Sequence, residues 1–174
     1  MRLRLFSAAR LWVLTSFSVA LLAVAACGGS AQVARDFEVT QFDGARFRLS
    51  EHIGTNAVVL NFWYPSCPPC REEMPAFQQA WEELQGEPVK FLGLFVPQGF
   101  DSEQDARDFA DELGLTFPFA TDRLAKIADA YKLEAFPKTY FIDINGKVVA
   151  TRISRLEADE ITRMVRGLTS DRPS

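Results

Sequence analysis

Seven residues, Ala57-Val58-Val59-Leu60-Asn61-Phe62-Trp63, are rich in β-formers and nearly unbroken in apolarity, and four positions later comes Cys67-Pro68-Pro69-Cys70. A run that does not alternate is the pattern of a central strand covered on both faces, so the chain is committed to a layered α/β arrangement with that strand inside. Behind the cysteines, Met74, Phe77, Trp81 and Leu84 recur at spacings of three and four and predict a helix over 68–84, kinked at Pro75. Two thiols therefore hang between the end of a buried strand and the first turn of a helix.

The other elements follow from periodicity and punctuation. Residues 37–42 and 45–49 alternate apolar and polar around Asp43-Gly44 and predict an entry hairpin. A second strand is expected over 89–96, then a helix capped by Ser102 and running through Phe109 and Leu113 to Gly114. Asp122 is expected to open a shorter helix through Ile127 and Tyr131. Beyond Pro137, residues 138–144 and 147–152 flank Asn145-Gly146 as a second hairpin, and a last helix spans about 156–168. This order predicts one α/β domain over 36–170: a mixed central sheet with helices on both faces and an added N-terminal β-hairpin, followed by a tail at 171–174.

The first 26 residues carry Arg2, Arg4 and Arg10, no acidic residue, and then an apolar run that ends in small residues. A basic head before a short apolar core is the pattern of a secretory signal, and the run falls short of the ~20 residues that usually span a bilayer. Val24-Ala25-Ala26-Cys27 is similar to the bacterial lipobox. That resemblance implies a lipoprotein signal peptide over 1–26, acylation of Cys27, and a lipidated tether over 27–35. Lipid chains contribute ~0.8 kcal/mol per buried methylene, so multiple acylation would hold the protein on a membrane. Residues 28–35, fully extended, reach roughly 26 Å. The expected location is extracytoplasmic, periplasmic or on the outer face of the cell membrane. Loss of the three arginines leaves 16 basic against 23 acidic residues, a net of −7. With no basic stripe, nucleic acid is excluded as a partner.

The chain has three cysteines, so assigning Cys27 to lipid leaves a single pair. A thiolate is the nucleophile of disulfide exchange, and a helix N-terminus lowers its pKa. Cys67 occupies that place and is the expected attacking thiol; Cys70, one turn further in, is the expected resolving thiol. Neither Pro68 nor Pro69 has an N–H to give the Cys67 sulfur, and only Cys70 supplies one nearby. The Cys67 pKa should then fall less than in a loop with a non-proline at position 68, which favours a reductant over a strong oxidant.

Asn61-Phe62-Trp63 running into Cys67-Pro68-Pro69-Cys70-Arg71-Glu72-Glu73-Met74-Pro75 resembles the TlpA/ResA-type membrane-anchored thioredoxin family, over residues 36–168. The resemblance implies a thioredoxin fold (a redoxin domain) and thiol-disulfide oxidoreductase activity. It also implies a cis proline at Phe136-Pro137 beside the cysteines, with Trp63, Phe136 and Pro137 contributing to substrate binding. Members of the family reduce disulfides outside the cytoplasm, often at the haem sites of apocytochromes c in cytochrome c maturation, and take electrons from a membrane thiol transporter. No cofactor beyond the redox-active Cys67–Cys70 disulfide is implied. Asn61 stands where cytoplasmic thioredoxins have a buried aspartate. Related reductases carry a glutamate after the second strand where this chain has Gln98. The proton acceptor for Cys70 is then unassigned, with Glu72 and Glu73 expected on the solvated helix face.

Other readings of the pair fare less well. A structural disulfide between Cys67 and Cys70 would close too small a loop to stabilise much by chain entropy. A zinc half-site lacks two further ligands, since the only histidine is His52, expected in a loop. A protein disulfide oxidase is the alternative with reversed electron flow. A peroxiredoxin-like peroxidase would want a threonine shortly before its attacking cysteine, which Pro65-Ser66-Cys67 does not supply. A copper-binding carrier on this fold would use a wider cysteine spacing and a distal histidine.

Overall fold

In a computed structural model of the chain, the described residues are 32–169; the expected signal segment and Cys27 lie outside them. The central strand is β3 (Ala57–Trp63), buried at every position, and it lies inside a five-stranded sheet. Its parallel neighbour is β4 (Val89–Phe95), beyond which lies β5 (Phe119–Thr121), also parallel. On the other side β3 pairs antiparallel with β6 (Lys138–Ile142), which pairs antiparallel with β7 (Val148–Arg152). The entry hairpin, β1 (Glu38–Thr40) and β2 (Arg46–Arg48), forms a separate two-stranded sheet. Four helices complete the domain: α1 (Pro68–Glu83), α2 (Glu103–Glu112), α3 (Lys126–Ala130) and α4 (Ala158–Thr169).

Side chains of β3 alternate between two cores, as strand geometry requires. Ala57, Val59 and Trp63 join α1, α2 and α4 in one cluster, whereas Val58, Leu60 and Phe62 join the entry hairpin and α3 in the other. This explains the lack of alternation in the sequence, because both faces of β3 are dry. The expected helix behind the cysteines is present and continues through Pro75, with Met74, Phe77 and Leu84 buried against the sheet.

β5 was not among the expected elements. It is three residues long, too short to show a period, and sits at the sheet edge, where Phe42 donates its backbone N–H to Phe119 (2.8 Å). The helix expected from Asp122 starts later, at Lys126. Asp122 caps it from a distance, its carboxylate accepting the N–H groups of Ile127 (2.9 Å) and Ala128 (2.8 Å). Ser102 caps α2 through a reciprocal capping box with Asp105.

Part of the expected tether lies on the domain. Val33 bridges to Lys147, Ala34 donates its N–H to Gly146 O (2.8 Å), and Val148 donates to Gln32 O (2.8 Å). These partners sit in the β6–β7 turn. Because Phe62 pairs with Lys138 and Val58 with Ile142, that turn lies at the end of the sheet opposite the cysteine loop. Among the described residues no helix is long and apolar enough to cross a membrane.

Gly93, in β4, is required by its neighbour: a Cβ there would lie 2.5 Å from the Phe119 ring. Gly93→Ala should therefore force a buried aromatic out of place and destabilise the fold by about 1–3 kcal/mol, read from urea unfolding midpoints.

Candidate functional site

β3 delivers the chain to the cysteine loop, and the loop ends where α1 begins. Cys67 is the N-cap residue of α1, with Pro68 and Pro69 in the first two helical positions. Its sulfur accepts one backbone hydrogen bond, from the Cys70 N–H at 3.2 Å. An N-cap side chain ordinarily draws on the second or third helical N–H. Here the second belongs to Pro69 and does not exist, so the single-donor expectation holds and the missing donor is at position 69.

Cys67 and Cys70 are joined as a disulfide. Both are buried, Cys67 at 2% exposure and Cys70 at 0%, so only Cys67 keeps any edge on solvent, between exposed Ser66 and Pro68. The difference is small, and it lies in the direction that an attacking Cys67 and a resolving Cys70 require.

One expectation is overturned beneath them. Glu73 does not lie on the solvated face of α1; it is fully buried, while Glu72 is exposed. Residues three apart on a helix are neighbours, with about 5–6 Å between Cβ atoms, which places the Glu73 carboxyl one turn below Cys70 on the inward face. Asn61, in the middle of β3, donates from Nδ2 to Glu73 Oε1 (2.8 Å) and to Thr139 Oγ1 of β6 (3.0 Å). Burial pushes the Glu73 carboxyl up to about 8, partly opposed by the Asn61 hydrogen bond and the Leu156 amide. Glu73 Oε2 and Asn61 Oδ1 are both buried acceptors without a donor. A neutral, protonated carboxyl costs less to bury there than an ionised one.

A buried carboxyl is thus present on α1, whereas position 98 carries none. Gln98 is exposed, and its side chain turns back on the chain, donating from Nε2 to Pro97 O (3.0 Å). The sequence signal for Glu73 was its place in the helical stripe, three positions after Cys70 and next to Met74. A carboxylate on a buried stripe is read as solvated unless its partner is known, and that partner is on another element.

Trp63, open in the sequence between a core place and a place flanking the thiol, takes the core, which corrects its inclusion among the substrate-binding residues: it is fully buried, its indole ring 5.4 Å from both Phe109 and Phe119 and 6.0 Å from Phe95, centroid to centroid. Its position on β3 points it into the core shared with the cysteines, so it forms the floor behind them. The Phe136-Pro137 peptide is cis, as expected. Pro137 is buried, and Phe136 is half-buried with its ring edge-on to Tyr64 at 4.9 Å. His52 is half-buried beside Phe47 (4.6 Å between rings), with its pKa lowered first by desolvation and then by Lys90. Among the described residues no cluster of metal-ligating side chains occurs.

This arrangement can do dithiol chemistry. A thiolate at position 67 can attack a disulfide sulfur, and Cys70, once its thiol proton has passed to a base, can attack Cys67, so that two electrons leave as the Cys67–Cys70 disulfide forms.

Residues 31–151 match the AhpC/TSA family. The thiol-disulfide oxidoreductase ResA of Geobacillus thermodenitrificans is 36% identical over 66% of this chain and 64% of its own length, a little under two thirds. ResA of Geobacillus kaustophilus is 33% identical over 75% of this chain and 72% of its own length. Among solved structures, a thiol:disulfide interchange protein of the thioredoxin family from Chlorobium tepidum superposes with a TM-score of 0.71 at 21% identity, covering 80% of this chain and 97% of that one. The fold is accordingly the thioredoxin fold, with the entry hairpin added to it.

Two outcomes test this geometry. Pro69→Ala restores the absent donor, and a hydrogen bond to a charged group contributes about 1.5–3 kcal/mol. A thiolate titration should show the Cys67 pKa falling by about one unit or more, with the reduction potential rising by tens of millivolts. For Glu73, the folded pKa near 8 lies above the ordinary 4.5, so between those values the oxidised folded chain holds a proton that the unfolded chain has released. Stability should therefore fall as pH rises through that window, by roughly 3–5 kcal/mol, and level off above it; Glu73→Gln should flatten this dependence in chemical unfolding.

Proposed function

The chain belongs to the AhpC/TSA family, beside the ResA thiol-disulfide oxidoreductases, and we propose that it works outside the cytoplasm as a membrane-anchored reductant of protein disulfides. The observation that carries the direction of electron flow is the single N–H on the Cys67 sulfur. A strong oxidant needs its reduced form stabilised by a heavily supported thiolate, and two prolines withhold that support here.

The anchor in this reading is lipid on Cys27. The substrate is a polypeptide disulfide, with the haem-site disulfide of an apocytochrome c as the specific candidate and a membrane thiol transporter as the electron donor. In the productive cycle Cys67 forms a mixed disulfide with the substrate, and Glu73 takes the Cys70 proton so that Cys70 can release the reduced substrate. The protein is then oxidised and is re-reduced through Cys67, the less buried cysteine of the pair.

The Cys67–Cys70 reduction potential decides between reductant and oxidase. A value near or below about −270 mV supports this reading, and one near about −120 mV overturns it. Cys70→Ser should accumulate a mixed disulfide through Cys67. Identification of the trapped protein tests the substrate, and recovery of no cytochrome would remove haem-site reduction. Glu73→Gln should leave formation of the mixed disulfide intact and slow its resolution by about a hundredfold, read by quenched-flow trapping of the intermediate.

A further inference from the structure

Phe100 is fully exposed, the one aromatic among the exposed large apolar side chains of the described residues. A single exposed apolar residue normally needs no explanation, but its setting here is specific. Phe100 and Gly99 are the central residues of a tight turn closed by the Asp101 N–H on Gln98 O (2.9 Å), with Gly99 at φ +56, a conformation that favours glycine. The turn is held by the residue beside the phenyl ring. Asp101 Oδ2 accepts the Ser66 backbone N–H (3.1 Å) and the Ser66 hydroxyl (2.7 Å). Ser66 immediately precedes Cys67, so the loop that presents Phe100 is fastened one residue away from the attacking sulfur.

The fastening is polar and the presented group is apolar. Nothing about the ring holds the loop, and the loop forgoes its burial. Next to Cys67 in the chain, Pro68 and Pro69 are exposed and apolar and Ser66 is uncharged; Tyr64 carries half-buried Phe136 against its ring, and the nearby cation is Arg71, on Pro65 O (3.3 Å). An extended polypeptide advances about 3.3 Å per residue, so a substrate whose cysteine sits at Cys67 passes Phe100 within a few residues of that cysteine.

We propose that Phe100 is a specificity-determining residue, an aromatic contact held in place by the Asp101–Ser66 tie, which takes a bulky apolar side chain close to the disulfide of an extended polypeptide substrate. The proposal rests on the thiol-disulfide activity proposed above and adds to it a preference among polypeptides. Asp101 is a positioning residue in this scheme, acting through the placement of the Phe100 loop.

Three probes test it with the full chain: glutathione disulfide, a disulfide peptide with leucine or phenylalanine two to four positions from its cysteines, and the same peptide with serine there. Wild-type protein should favour the apolar peptide. Phe100→Ala should raise KM for that peptide about tenfold with kcat unchanged, abolish the preference over the serine peptide, and leave the glutathione disulfide rate untouched; Phe100→Trp should restore the preference. Asp101→Ala should reproduce the KM effect through loss of the tie. Equal KM values for wild type and Phe100→Ala on the apolar peptide would overturn the role of Phe100, and a normal KM in Asp101→Ala would overturn that of the tie. A wild-type protein that reduces none of the three probes would instead remove the activity on which the proposal rests.

Discussion

The hydrogen bond from Asn61 to Glu73 joins the middle of the central strand to the helix that carries the cysteines. A carboxyl group in a dry core is costly to ionise and is kept there only when its lone pairs are addressed. Asn61 addresses one oxygen and spends its other N–H on Thr139, so three elements, β3, α1 and β6, converge on one polar point inside an otherwise apolar layer. The register of α1 over the sheet is fixed by this convergence as well as by Met74 and Phe77. The depth at which Cys70 sits follows from it.

The two ends of the cysteine motif are consequently different environments. The outer one is a helix N-terminus stripped of a donor by Pro69, and the inner one lies on the same buried side of α1 as a carboxyl whose affinity for protons is raised by burial. Disulfide exchange needs an asymmetry of this kind, because one sulfur must attack and leave while the other waits in the neutral form. Trp63 contributes from behind. Packed among Phe95, Phe109 and Phe119, it fills the apolar cluster to which both cysteines belong.

Much of this was legible in the sequence because it is carried by local pattern. Seven non-alternating residues define β3, Asn145-Gly146 marks the second hairpin, Ser102 marks the start of α2, and the Cys67–Cys70 spacing marks the chemistry. What escaped depends on contacts between elements distant in the chain. Glu73 is twelve residues from Asn61, and Asn61 is 78 from Thr139, so no window of sequence shows that the glutamate is partnered. Trp63 could be core or surface until the fold determined which side of β3 it occupies. The edge strand β5 has three residues and owes its existence to pairing with β4 and to the entry hairpin that reaches it.

The stitching of residues 32–34 to the β6–β7 turn gives the domain a polarity. The chain enters at one end of the sheet, and the strand register places Cys67 at the other, about five strand residues or ~17 Å away along β6. A force or a surface applied through the N-terminus therefore arrives at the back of the molecule. The cysteines are carried like a tool at the far end of its handle, turned outward from whatever holds the grip.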